Sequence, residues 1–159
     1  MFAPVRTVDE RPWELMIHDA DVRTTAGVRL LAGVDEVGRG ALAGPLVAAA
    51  VILPDRLVIP GVDDSKTVSA GKRLQVARRV TRVALSWAVA FVSAREIDHH
   101  GLQEANLAAM CAAVAGLRLT PELVLSDWYR LGGLTVRSLA VKRGDSVSQS
   151  IAAASCLAK

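Results

Sequence analysis

The chain has 159 residues, 52% of them hydrophobic and only 4% aromatic, with 19 basic against 16 acidic side chains for a net charge of +3. That length and composition predict one domain with a core filled by Val, Leu, Ile and Ala, and a charge compatible with a polyanionic partner without demanding one. The longest apolar tract, Ala41 to Leu53, is too short for a membrane span and is broken by Gly44 and Pro45, while Asp9, Glu10 and Glu14 argue against a secretory signal, so a soluble chain is expected.

In chain order, residues 1–28 mix charge without a clear period and are set apart as a leader, with a weak helix from Trp13 to Val22. A strand is predicted from Leu30 to Val37 and a second, Val- and Ile-rich, from Leu46 to Leu53. Pro54, Pro60 and Gly61 then open a loop that carries Asp63-Asp64-Ser65-Lys66. Ser69 is the expected N-cap of a helix whose Leu74, Ala77, Val80 and Ala84 recur at helical spacing. Its basic side chains, Lys72, Arg73, Arg78, Arg79 and Arg82, are read as a solvated face in preference to a nucleic-acid contact.

A third strand, Ser86 to Val92, follows. His99-His100-Gly101 is taken as a surface turn, because adjacent side chains diverge and no third metal ligand lies near. Leu102 to Leu117 is expected to be an amphipathic helix with a core stripe of Met and Leu, followed by a fourth strand, Glu122 to Ser126, that terminates in Asp127. A fifth strand covers about Thr135 to Val141, and Ser148 caps a small-residue helix running to Lys159. Cys111 and Cys156, far apart and in no C-x-x-C, are expected to be reduced, buried thiols.

The chemistry concentrates where strands end. Asp35-Glu36 closes the first strand and is followed by Gly38-Arg39-Gly40, while Asp127 and Asp145 follow the fourth and fifth strands. Gly33 to Gly38 has the gap of a P-loop but no Lys-Ser/Thr after it, and the third glycine of a dinucleotide fingerprint arrives one residue late. Taken alone, Asp35-Glu36 is equally a solvated strand end. Four carboxylates converging on one crevice could not all stay ionised without cations, and an oxygen-only ligand set favours Mg²⁺ or Mn²⁺ over zinc. Two such ions would suit phosphodiester hydrolysis. Since successive strand residues face opposite ways, Asp35 and Glu36 share a site only if the strand ends or bulges there.

The stretches GVDEVGRGALAGPLVAAAVIL, DDSKTVS, EANLAAMCAAVAGL and KRGDSVSQSIAAASCLAK, with the strand ending in Asp127, resemble bacterial ribonuclease HII in order from about Leu30 to Lys159. The resemblance implies an α/β ribonuclease H-like fold, a central mixed five-stranded sheet flanked by helices, over residues 29–159. It implies a monomeric, cytoplasmic endonuclease that hydrolyses the RNA strand of RNA·DNA hybrids and incises duplex DNA at embedded ribonucleotides, with Mn²⁺ or Mg²⁺ as cofactor. By position, Asp35, Glu36, Asp127 and Asp145 become the catalytic and metal-binding acids. Gly38, Arg39 and Gly40 become the sensor of the ribose 2′-OH, and Ser65, Lys66, Ser155 and Lys159 become contacts to the substrate backbone, with a capping or surface role the equal alternative for these four. The sequence departs from the family in Trp128-Tyr129, where Gly-Asn is usual, in Arg143, where Lys is usual, and in ending before the family's C-terminal helical segment. A catalytically impaired fragment and a related metal-dependent nuclease are therefore the alternatives.

Overall fold

In the computed structural model, residues 11–39, 44–62 and 69–159 are described. Five strands form one sheet: β1 (Leu31–Val37), β2 (Leu46–Ile52), β3 (Ser86–Val92), β4 (Leu123–Asp127) and β5 (Arg137–Val141), in the order β3-β2-β1-β4-β5. β1, β2 and β3 are antiparallel neighbours, whereas β4 and β5 run parallel to β1. The carboxyl ends of β1, β4 and β5 therefore lie along one edge of the sheet, where ligands of open α/β sheets tend to bind. This is the mixed five-stranded arrangement expected from the sequence.

Helices cover both faces. On one side α5 (Gln149–Ala158), α2 (Ala70–Val83) and α1 (Arg11–Ala26) enclose Ala49, Val51 and Leu53 with Val76, Val80, Leu15 and the alanines of α5. On the other, α4 (Leu102–Ala115) lays Ala109, Met110, Ala113 and Val114 on Ala32, Val34, Ala48 and Ala50. The short α3 (Ala94–His100) precedes α4 and begins in a capping box between Ser93 and Glu96. Alternation along β1 decides the layering: Ala32 and Val34 face α4, and Leu31 faces Ile151 of α5.

α5 approaches β1 at van der Waals limits because of one glycine. A Cβ built on Gly33 would lie 2.1 Å from the Ser150 carbonyl carbon and 2.3 Å from the Ile151 nitrogen, so no other residue fits there. The helix is also fastened by polar bonds that cross the chain. Ser150 donates its backbone N–H and its hydroxyl to Asp19 Oδ2 at 2.8 and 2.7 Å, and Gln149 bridges Leu57 O and Ile59 N. Ser148 takes the N-cap position, accepting from Ile151 N–H.

Several expectations need correction. The sequence sets residues 1–28 apart as a leader, but Arg11–Ala26 is a sixteen-residue helix whose Leu15 and Asp19 are buried against α5, so that helix packs with the body of the fold. In α2 the buried face is Val76 and Val80 while Leu74 is 55% exposed, and Ser69, though at the N-cap position, makes no side-chain cap bond. In α4 the stripe is mostly alanine around Met110, and Leu102 is exposed. Thin side chains there let the helix sit close to the alanines of β2. His99 and His100 end α3 instead of forming a turn, both exposed, and Cys111 is only half-buried, whereas Cys156 is buried as expected.

Candidate active site

The candidate site is the edge where β1, β4 and β5 end. β1 does not stop or bulge at the acidic pair: Asp35 pairs with Ala49, Glu36 with Ala48 and Val37 with Val47 before the chain turns at Gly38. Regular alternation would send the two carboxylates to opposite faces, yet without an end or bulge the pair stays in contact here: Asp35 lies towards α5, and the Asp35 and Glu36 side chains interact directly. Gly38 has φ +100, and a Cβ there would lie 2.6 Å from Pro45 O, so the turn into β2 requires glycine.

Asp35 is 95% buried beneath α5. Its Oδ1 accepts the Glu36 N–H at 2.8 Å, and it is hydrogen-bonded by the Ser155 hydroxyl. Burial nonetheless pushes its pKa up to about 7, against the lowering effect of those bonds, and the charges of Glu36 and Asp127 push the same way. Glu36 is raised too, first by burial and then by Asp127, with Arg39 acting in the opposite direction. Its Oε2 is buried without a hydrogen-bond partner. Asp127 thus acts on both acids from the end of β4, and its own Oδ1 accepts the Gly144 N–H at 2.7 Å.

That bond ties the end of β4 to the turn Gly144–Ser146, which carries the buried Asp145. The fold therefore brings Asp35, Glu36 and Asp127 into electrostatic contact and sets Asp145 one residue from a group bound to Asp127. Lys159, the C-cap of α5, lies four residues beyond Ser155, and its Nζ donates to Ser155 Oγ at 3.1 Å, giving the line Lys159, Ser155, Asp35. Arg39 donates to Gln103 Oε1 at 2.7 Å and stacks on Tyr129, 4.8 Å from the ring centroid. Gly40, Ser65 and Lys66 lie outside the described residues.

The sequence does not mark Gln103, and it marks Tyr129 only as a departure from the family's Gly-Asn. In space Tyr129 supports the arginine. No short-range signal connects Arg39 with residues 64 and 90 positions away. Among the described residues no three His, Cys, Asp or Glu side chains are gathered as a ready metal cage. An unsatisfied buried carboxylate oxygen and mutually repelling acids nevertheless fit a hard divalent cation, which accepts oxygen ligands and, as Mg²⁺, keeps several of its own waters.

The sheet order, the covering helices and the acidic edge together define a ribonuclease H-like α/β protein. Solved structures with the same fold include ribonuclease H2 from Pyrococcus horikoshii OT3, with TM-score 0.70 and 26% identity over 80% of this chain and 69% of that one. Another is the ribonuclease HII of Archaeoglobus fulgidus, solved as a complex with PCNA, with TM-score 0.70 and 31% identity over 81% of this chain and 70% of the other. A sequence profile described as Ribonuclease HII matches residues 32–159, and the chain belongs to that family. It is 50% identical over 134 residues to the ribonuclease HII of Mycobacterium leprae, covering 84% of this chain and 56% of that protein. To that of Salinispora arenicola it is 46% identical over 161 residues, covering 100% and 60%. The chain thus spans somewhat over half the length of these curated relatives.

Proposed function

We propose that this chain carries the acidic centre of an endonuclease that hydrolyses the RNA strand of RNA·DNA hybrids and incises duplex DNA at embedded ribonucleotides, with Mg²⁺ or Mn²⁺. The observation that carries the reading is the mutual charge repulsion of Asp35, Glu36 and Asp127 around a buried, unpartnered carboxylate oxygen, in a chain of this family. Asp35, Glu36, Asp127 and Asp145 would hold the ions, which when bound supply charge neutralisation and an activated water. Water adds to the phosphorus and the bond to the 3′ oxygen breaks, leaving a 5′-phosphate and a 3′-hydroxyl.

The chain's own groups set the stage for that displacement. The Glu36 N–H and the Ser155 hydroxyl orient Asp35, and Lys159 orients Ser155. Arg39, held by Tyr129 and Gln103, presents a fixed guanidinium beside the acids, and with Gly38 and Gly40 it is the proposed reader of the ribose 2′-OH. Among the described residues no helix is long and apolar enough to cross a membrane, in keeping with the proposed cytoplasmic location.

The test is turnover of a duplex containing one ribonucleotide, with an all-DNA duplex as control, in Mg²⁺ and in Mn²⁺. Asp35→Asn and Asp127→Asn are expected to lose several kcal/mol of transition-state stabilisation, on the order of a hundredfold or more in rate. Undiminished cleavage by either variant, or equal cutting of the all-DNA duplex, would refute the proposal. Hybrid binding without turnover by the unaltered chain would instead mark a binding fragment.

A further inference from the structure

Within two residues of the acids, two residues other than glycine adopt positive φ: Trp128, after Asp127, with φ 62, and Arg143, before Asp145, with φ 55. For a bulky aromatic residue this conformation is an outlier that persists only where the surroundings impose it, and such outliers cluster at functional sites. Here the imposing bond is Tyr129 N–H to Asp127 O, 2.7 Å, a three-residue turn closed around Trp128, while Trp128 N–H continues the β4–β5 ladder to Val141 O at 3.0 Å. The side chain gains little burial from it, since Trp128 is 54% exposed.

Its neighbour Tyr129 is half-buried and covered by Arg39, but above the Trp128 ring lies Lys142, with Nζ 5.6 Å from the centroid. Lys142 is itself exposed, as are Arg130 and Arg143 nearby in the sequence. The result is a half-exposed indole with Lys142 over one face, in the residue that follows Asp127. An apolar partner would be a poor match for that cation, whereas a polyanion with flat bases matches both the charge and the ring.

We propose that Trp128 is a stacking platform for a base of the nucleic-acid strand entering the site, with Lys142 neutralising the adjoining phosphate. This rests on the reading of the site given above and adds a residue to it. The platform grips substrate without regard to sequence, because every base has a π-face.

The test is the affinity of the full chain for a short fluorescein-labelled RNA·DNA hybrid, measured by anisotropy with Ca²⁺ in place of the catalytic ion. Trp128→Leu keeps apolar bulk but removes the aromatic face, and about tenfold weaker binding is expected; Trp128→Phe is expected to stay within about threefold of the unaltered chain. Lys142→Ala is expected to reduce the slope of log affinity against log salt by about one. Trp128 fluorescence should be quenched on binding, a change absent from the Phe variant. Equal affinities of the Leu variant, the Phe variant and the unaltered chain would overturn the platform alone. An unaltered chain that binds no hybrid would overturn the platform together with the function it rests on.

Discussion

Against one face of the sheet lies α5, with every residue but Leu157 buried, pinned by Asp19 and Gln149 and seated directly on the backbone of Gly33. Against the other lies α4, which covers the same strands through alanines, Met110 and Val114 in apolar contact. The first face positions; the second only packs. The difference explains why Asp35 can be held at a defined place despite being an ionisable group at 5% exposure. Its supports come from a helix with no freedom to shift, whereas an apolar contact like that of α4 tolerates repacking.

Substitution should separate the two faces sharply. Gly33→Ala drives a methyl group into the Ser150 backbone, which has no rotamer to escape into. A loss at or above the upper end of the roughly 1–3 kcal/mol seen for overpacking is expected. On the opposite face, Met110→Leu is fully buried yet close in volume, and should cost less than about 1.5 kcal/mol. Urea unfolding of both variants checks the pair; equal losses would erase the distinction.

A smaller effect of opposite sign is expected within the α5 face. Without metal, Asp35→Asn removes a buried charge that Glu36 and Asp127 oppose, while keeping an oxygen to accept from Glu36 N–H and Ser155. The metal-free chain should gain on the order of 1–2 kcal/mol at neutral pH, as a higher thermal midpoint. A lower midpoint would mean that Asp35 is stabilised by its surroundings instead of strained by them.

The smallest effect lies at the far end of β1. The exposed carboxylate of Glu122 accepts the backbone N–H groups of Arg29 and Leu30 at 2.5 and 3.0 Å, which holds its pKa below the ordinary 4.5. A lowered folded pKa means that the charged form is favoured by folding. Its contribution is thus complete above the unfolded value and lost as the pH falls through the folded one. Glu122→Gln should lower the thermal midpoint slightly at pH 7 and match the unaltered chain well below about pH 4. A difference that persists unchanged in acid would assign the effect to something other than charge.

The sheet was legible because its signals are local. Leu46 to Leu53 is β-branched and apolar, Ser86 to Val92 ends at Ser93, and each predicted strand lies within two residues of the observed one. The role of α1 was not legible, because what makes it part of the body is Asp19 meeting Ser150, a partner 131 residues away. The buried stripe of α4 differs from the spacing-based expectation for a related reason: helical spacing alone does not say that the facing strand is alanine-rich, where mostly small side chains pack around Met110. In the site, Asp35, Glu36, Asp127 and Asp145 could be proposed from strand ends. That Arg39 would rest on Tyr129, and that Trp128 would take a positive φ with its ring half-exposed, depends on the turn that follows β4.

The contact at Gly33 has a consequence for how the acidic edge is held. With strand and helix touching main chain to main chain, there is no cushion of side chains on which α5 could ride at intermediate depth. Ser155 reaches Asp35 only with the helix seated at that depth, so anything that lifts α5 off Gly33 takes the hydroxyl away from the acid as well.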